Sequence, residues 1–100
     1  MSGLVDVALI GLGGYGATHR RALQALEKAG LARLAVAAEI DHVGQAEVIN
    51  QLRQNGVQVY RDWQEMLDKG GFDVVGVAAP LHLHRIMVIT ALQRGYPVFC

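Results

Sequence analysis

A glycine-rich turn near the amino terminus constrains the fold of this chain more than any other part of its sequence. Residues 5–10 are mostly apolar, which is typical of a buried parallel strand, and a helical pattern covers residues 17–29 before a stop signal at Gly30. Between the two lies a G-x-G-x-x-G motif, formed by Gly11, Leu12, Gly13, Gly14, Tyr15 and Gly16.

A strand, a glycine turn and a helix in this order are what a dinucleotide pyrophosphate site requires. Gly11 permits the tight turn, Gly13 lets the backbone approach a phosphate, and Gly16 lets the helix pack closely on the strand. The start of the helix presents free N–H groups and a positive dipole end to the anion. We therefore predict a phosphate-binding loop, with Tyr15 beside the pyrophosphate or ribose; the alternative is an ordinary glycine-rich turn.

The second predicted strand, residues 33–39, ends in an acid suited to a ribose. Glu39 lies 23 residues after Gly16, close to the offset of roughly 20 residues expected for a ribose-binding carboxylate. Its carboxylate can accept hydrogen bonds from both ribose hydroxyls and repels a 2′-phosphate, which favours NAD over NADP. Asp41 could take this role instead, or it could be the N-cap of the next helix. The alternative without a function is that Glu39 is a solvated strand-end residue.

Helical and strand patterns alternate along the whole chain. Together with the first two strands, this alternation predicts an α/β fold of the Rossmann type: a doubly wound parallel sheet in three αβα layers with strand order 3-2-1-4-5. The later elements are predicted as helix 44–54, strand 57–60, helix 62–68 with Asp62 as its N-cap, strand 72–79, a helix from beyond His84 to Arg94, and strand 96–100. The residues expected to face the core are Ala22, Leu23, Leu26, Ala29, Val48, Ile49, Leu52, Val74, Val75 and Val77.

The composition limits the classes of partner. The formal net charge is zero, and Arg20, Arg21 and Arg33 are scattered among acids, so we expect neither nucleic acid nor a membrane surface as a partner. The sequence has no pattern of a signal peptide or a membrane span. Cys100 is the only cysteine, which excludes an internal disulfide and fits the cytoplasm. At 52% hydrophobic and 18% charged residues, the chain is apolar for its length, which indicates surface meant to be covered by a missing part.

The chain resembles the N-terminal NAD-binding domain of the glucose–fructose oxidoreductase and inositol dehydrogenase family, Gfo/Idh/MocA, over essentially its whole length. The resemblance rests on the glycine motif followed by His19, on Glu39, and on two later segments. One segment is the family's A-T-P-x-x-x-H loop after the fourth strand, here Ala78, Ala79, Pro80 and His84; the other is its A-L-x-x-G-K-x-V-x-x run, here residues 91–100. Ala79 replaces the usual threonine, and Leu81 stands where a polar residue is common.

The resemblance implies a function and a missing part. In the family E-K-P follows this segment, its lysine belongs to the catalytic centre, and a second domain forms the substrate pocket. We therefore expect residues 1–100 to be an incomplete dinucleotide-binding domain without a catalytic residue of its own. The intact protein would be a homo-oligomeric, NAD-dependent oxidoreductase that moves a hydride to or from a secondary alcohol of a sugar, cyclitol or similar small molecule. Ala79, Pro80 and His84 would lie on the nicotinamide side.

Several alternatives stay open from the sequence. A nucleotide-sensing regulatory module, a methyl-donor or other nucleotide site, and an α/β domain without a ligand would share this pattern. His84 could merely pack or cap the following helix, and we expect His82 to be exposed and His19 to pack. His82 and His84 form a His-x-His pair, but no cysteine or further acid completes a ligand set, so no metal is expected. We expect Trp63 and Met66 to pack and Cys100 not to act as a nucleophile.

Overall fold

The computed structural model describes residues 4–100 of the chain, except for the side chain of Tyr15. Strands and helices alternate throughout these residues. In chain order they are β1 (Val5–Ile10), α1 (Tyr15–Lys28), β2 (Ala32–Ala38), α2 (Ala46–Gln54), β3 (Gln58–Tyr60), α3 (Trp63–Lys69), β4 (Val74–Val77), α4 (Leu81–Gln93) and β5 (Val98–Phe99).

The five strands form one parallel sheet in the order β3-β2-β1-β4-β5, which confirms the predicted topology. The chain therefore moves outward from β1 to β3 and returns to the other side of β1 at β4. At this reversal, the loops that leave the carboxyl ends of β1 and β4 separate to opposite faces of the sheet. Open parallel sheets bind their ligands in the crevice at such a switch point.

Two apolar layers lie on the two faces of the sheet, as a doubly wound fold requires. One layer joins the sheet to α1 and α2, and the other joins it to α3 and α4. The buried helical residues of the first are Leu23 and Ile49, and those of the second are Met66, Leu67, Met87 and Ala91. Val48 and Leu52 are half-buried against the first layer, as predicted, and Val75 and Val77 are buried while Val74 is half-buried.

An irregularity in β2 changes which face of the sheet its successive side chains take. The pairing of β1 with β2 shifts between Val7 and Ala8, so Val7 pairs with Leu34 and Ala8 pairs with Val36. Ala35 is the extra residue, and it packs with Val36 on the α3–α4 side, whereas Leu34 lies on the other side. The bulge thus changes the phase of the side chains halfway along β2.

The first helix is more solvated than its sequence indicated. Leu23 is its buried core residue, but Ala22, Leu26 and Ala29 are exposed, so the predicted four-residue apolar face was wrong. This helix packs on β2, and Leu23 is the side chain that it buries in the apolar layer. Alanine, with one methyl group, loses little when it is left in water.

The last helix begins earlier than predicted. Pro80 is its N-cap and α4 starts at Leu81, so His82 and His84 lie in its first turn rather than in a preceding loop. Proline is tolerated at this helix boundary, because the N-cap donates no hydrogen bond within the helix and the missing N–H of Pro80 is not needed there. The outward side of α4 exposes Leu83, Ile86, Ile89 and Leu92. Within residues 4–100, no helix combines the length and hydropathy needed to cross a membrane.

Candidate nucleotide-binding site

The glycine turn joins β1 to α1 with very little space between the two. Gly11 has a φ of +94°, and a Cβ built on it would lie 2.9 Å from the carbonyl oxygen of Ala78 at the end of β4. A Cβ on Gly16 would lie only 2.3 Å from the carbonyl oxygen of Gly11. Glycine at both positions is therefore required for this close packing, as the motif predicted. Gly14 is the N-cap of α1, with a φ of +54°.

Glu39 follows β2 directly and reaches the glycine turn. Its Oε1 accepts a hydrogen bond of 2.8 Å from the backbone N–H of Leu12, and its Oε2 accepts one of 3.0 Å from that of Asp41. Its own N–H donates to the carbonyl of Tyr60, which fixes the end of the strand. Two backbone N–H groups thus orient the half-buried carboxylate, and one of them belongs to the glycine turn. Ionised carboxylates accept more than two hydrogen bonds, so a ligand hydroxyl can still be accepted.

Asp41 has a local structural role in the loop after Glu39. Its Oδ1 accepts a hydrogen bond of 2.8 Å from the N–H of Gly44, and its side chain is exposed. The N-cap of α2 is Gln45, so the possibility that Asp41 caps this helix was wrong. Asparagine and aspartate commonly close such turns on the backbone two or three residues ahead. Glu39 is therefore the acid that the fold places against the glycine turn.

Two helices begin at the switch point with their N-termini uncapped by side chains. Gly14 caps α1 and Pro80 caps α4, and neither helix has an acid in its first turn. By contrast, α2 and α3 carry Glu47 and Glu65 there. Free N–H groups and an uncompensated positive dipole end favour an anion. The two helix starts beside β1 and β4 are therefore the ones suited to a phosphate-bearing ligand.

A largely apolar cavity of about 400 Å³ lies where α1 and α4 approach the carboxyl end of β4. His19 packs edge-on against Phe99, with 5.2 Å between ring centroids, as predicted. Ala79, just before α4, and His84, in the first turn of α4, border the cavity. His82 is exposed. The residues that line the cavity are His19, Val77, Ala78, Ala79, Leu81, His84 and Cys100. The cavity lies on the same edge as the glycine turn.

The other singled-out residues are accounted for by packing or exposure. Met66 is fully buried and Trp63 is half-buried against the same core layer, as expected. Cys100 is exposed and lines the cavity without a disulfide partner. Among residues 4–100, no group of three or more His, Cys, Asp or Glu side chains is placed to hold a metal ion. The side chain of Tyr15, expected beside the phosphates, lies outside the described residues.

Two residues that lie beside the turn, Arg20 and Gln45, were not predicted from the sequence. Arg20 of α1 donates from Nη2 to the carbonyl of Leu12 at 3.2 Å, although the sequence grouped it with scattered surface charges. The amide Nε2 of Gln45 lies 3.0 Å from the position of a Cβ on Gly13. The position of Arg20, in the second turn of a helix that starts at the motif, was the available signal. No local pattern indicated Gln45, because its approach depends on how α2 packs.

A second cavity, of about 450 Å³, lies between α1 and α2 toward the amino ends of β1 and β2. Polar side chains of both helices line it, among them Gln24, Glu27 and Gln51. Glu27 is engaged there, since its Oε1 accepts a hydrogen bond from the N–H of Leu34. This cavity is on the wrong edge for ligand binding at the switch point.

Comparison with known proteins identifies relatives along the whole domain. The family model GFO_IDH_MocA, described as the oxidoreductase family, NAD-binding Rossmann fold, matches residues 5–100. The inositol 2-dehydrogenase of Streptomyces avermitilis is 34% identical over 100 residues, which are 100% of this chain and 28% of that protein. The chain therefore spans little more than a quarter of the length of this relative.

Solved structures of inositol dehydrogenases have the same fold in the corresponding part. The myo-inositol 2-dehydrogenase of Lactobacillus plantarum matches with a TM-score of 0.79 and 32% identity, over 97% of this chain and 27% of that one. The scyllo-inositol dehydrogenase of Lactobacillus casei, solved with NAD(H) and scyllo-inositol, matches with a TM-score of 0.78 and 26% identity, over 96% and 27%.

Proposed function

The chain belongs to the Gfo/Idh/MocA oxidoreductase family, and we propose that it is the NAD-binding part of a dehydrogenase acting on a cyclitol or a related polyol. The observation that carries this proposal is the meeting of three features on one sheet edge. These are the glycine turn, the carboxylate of Glu39 bonded to that turn at Leu12, and the cavity beside Ala79 and His84. The glycine turn after β1 lies between the other two features, as the pyrophosphate of a dinucleotide lies between its adenosine ribose and its nicotinamide half.

Each part of NAD has a counterpart among the residues. The pyrophosphate would lie against the start of α1, where a side chain on Gly13 would fill the space beside Gln45. Glu39 would accept the ribose hydroxyls, and the apolar cavity would exclude water from the nicotinamide. The residues proposed to hold the cofactor are Gly11, Leu12, Gly13, Gly14, Tyr15, Gly16, Glu39, Ala79, Pro80 and His84. When bound, NAD supplies a ring that accepts a hydride from the substrate carbon.

The charge beside the ribose position supports NAD rather than NADP. Glu39 is anchored by the N–H groups of Leu12 and Asp41, so its carboxylate cannot swing away easily to admit a 2′-phosphate. Asp41 adds a second negative charge two residues further on. Sites for the 2′-phosphate commonly place an arginine nearby. We therefore expect NAD to bind more tightly than NADP.

Turnover would require parts that this chain does not include. We propose that residues 1–100 form the dinucleotide-binding domain of a longer, homo-oligomeric enzyme, whose catalytic lysine and substrate domain lie beyond Cys100. The relatives support this, because the chain covers 28% of one inositol dehydrogenase and 27% of two others. The single cysteine and the zero net charge support a location in the cytoplasm and a small-molecule substrate rather than nucleic acid or a membrane.

Calorimetric titration of the chain with NAD and NADP tests the cofactor assignment. We expect NAD to bind more tightly than NADP, and Glu39→Gln to weaken NAD binding by about tenfold or more, since hydrogen bonds to a charged group are worth ~1.5–3 kcal/mol. The same variant should bring the dissociation constants of NAD and NADP closer together. Asp41→Asn is the matched control for NAD affinity, because it removes a nearby charge but leaves the bond between Glu39 and Leu12 in place. Tighter NADP binding by the unmodified chain would contradict the assignment.

An activity assay of the intact protein tests the reaction. We expect NADH to form when myo-inositol or scyllo-inositol is supplied with NAD, and we expect no turnover from the 100-residue chain alone. Hydride transfer by the chain alone would show that a catalytic group lies within residues 1–100. An intact protein that binds NAD but reduces none with any polyol would favour a nucleotide-sensing role instead.

A further inference from the structure

Leu12, between the first two glycines of the turn, is held from two sides by groups of opposite charge. Its N–H donates to Oε1 of Glu39 at 2.8 Å, and its carbonyl accepts from Nη2 of Arg20 at 3.2 Å. Its side chain is fully buried. The flanking glycines have the least restricted backbones of all residues, so these contacts limit how far the turn can move. We refer to Glu39, Leu12 and Arg20 as the Leu12 clamp.

The side chain of Arg20 has few hydrogen-bond partners besides Leu12 among the described residues. Its Nε is buried, and no hydrogen-bond partner for that atom is found among the described residues. Burial lowers the pKa of Arg20 below its ordinary value, and the charge of Arg21 lowers it further, although an arginine side chain stays protonated. Arg33 differs, because its Nε donates to Oδ1 of Asp6 at 2.6 Å. A buried N–H without a partner is unfavourable, and the bond to the carbonyl of Leu12 is the one hydrogen bond of the Arg20 side chain found among the described residues.

We propose that Arg20 is a positioning residue for cofactor binding, which acts by fixing the carbonyl of Leu12 and thereby the glycine turn at the start of α1. This inference rests on the proposed function, since it concerns the pyrophosphate part of the same site. Arg20 itself does not contact the cofactor. Its action through the turn should affect ligands that carry a pyrophosphate and spare those that occupy the ribose and adenine positions alone.

Two substitutions of neighbouring arginines separate this role from general destabilisation. Arg20→Met removes the charge and the donor but keeps a long side chain, and Arg21→Met makes the same change at an exposed neighbour. Dissociation constants for ADP-ribose and for adenosine are measured for each by amide-shift titration. We expect Arg20→Met to raise the dissociation constant of ADP-ribose about tenfold, as for a lost charged hydrogen bond. The dissociation constant of adenosine should rise less than about twofold. Arg20→Lys, which keeps a cationic donor, should recover part of the loss, and Arg21→Met should change neither constant.

Hydrogen exchange at the amide of Leu12 gives a second measure that needs no ligand. We expect this amide to exchange faster in Arg20→Met than in Arg21→Met when both are compared with the unmodified chain. The proposal is overturned if Arg20→Met binds ADP-ribose as tightly as the unmodified chain does. It is also overturned if this variant weakens the binding of adenosine as much as that of ADP-ribose. If the unmodified chain binds no NAD, the proposed function fails. In that case equal exchange at Leu12 in the two variants would overturn the clamp as well.

Discussion

Substitution of Gly16 by alanine tests whether the close packing of α1 on β1 is real. The added Cβ would lie 2.3 Å from the carbonyl oxygen of Gly11, whereas ordinary contact begins near 3.4 Å, so the two atoms must separate by about 1.1 Å. The oxygen belongs to the backbone and the position of the Cβ is fixed by the backbone, so no side-chain rotation can relieve the overlap. Overpacking of this kind typically costs 1–3 kcal/mol, and we expect a loss of ~3 kcal/mol in the free energy of unfolding, measured by urea denaturation.

Two other glycines supply the controls for this experiment. Gly30→Ala adds a methyl group in open space at a φ of +73°, so we expect a loss of ~1–2 kcal/mol from backbone strain alone and no change in NAD affinity. Gly13→Ala meets only the flexible Nε2 of Gln45, so stability should hardly change while NAD binding weakens by tenfold or more. Close packing of α1 on β1 would be contradicted if the free energy of unfolding of Gly16→Ala lay within about 0.5 kcal/mol of that of the unmodified chain, the range of surface changes, and NAD bound equally well.

Two further substitutions test the structure around the site. Asp62 caps α3 by accepting a hydrogen bond of 2.9 Å from the N–H of Gln64, so Asp62→Ala should lower the free energy of unfolding by about 1 kcal/mol and Asp62→Asn by less; equal losses in urea denaturation would contradict this role. A Cβ on Gly76 would lie 2.5 Å from Cζ of Phe99, so Gly76→Ala should cost about 1–3 kcal/mol. The same change should cost markedly less in a Phe99→Ala background; additive losses in a double-mutant cycle would show that the ring is not the obstacle.

Three features could be predicted from the sequence because each has a local cause: the central strand, the glycine turn and the strand order. The sequence shows the apolar run of β1, the glycines at positions 11 and 16, and the alternation of elements. Together these features predict a single strand order, the one that the sheet has. Gly30 ends α1 with a φ of +73°, as its position indicated. These features follow from backbone sterics and periodicity, which the sequence states directly.

Features that depend on packing were not readable in the same way. The β2 bulge at Ala35 lies in a run of small apolar residues, where no polar residue shows which face each side chain takes. Arginine is usually a surface residue, so nothing in the sequence indicated that Arg20 is half-buried. Its contact with the carbonyl of Leu12 depends on how α1 lies against the glycine turn. The start of α4 at Leu81 was predicted too late, because residues 81–84 have no polar N-cap residue or acid that marks a helix start.

Amide-shift titration of the isotope-labelled chain with NAD tests the location of the cofactor site most directly. We expect the largest changes in three places on the carboxyl edge of the sheet: residues 11–16, Glu39 with Asp41, and the turn and helix start at residues 79–84. A site that lies instead between α1 and α2 would shift Gln24, Gln51 and their neighbours around the 450 Å³ cavity. Changes confined to that cavity, or none at millimolar NAD, would contradict the assignment of the glycine turn and Glu39 to the cofactor.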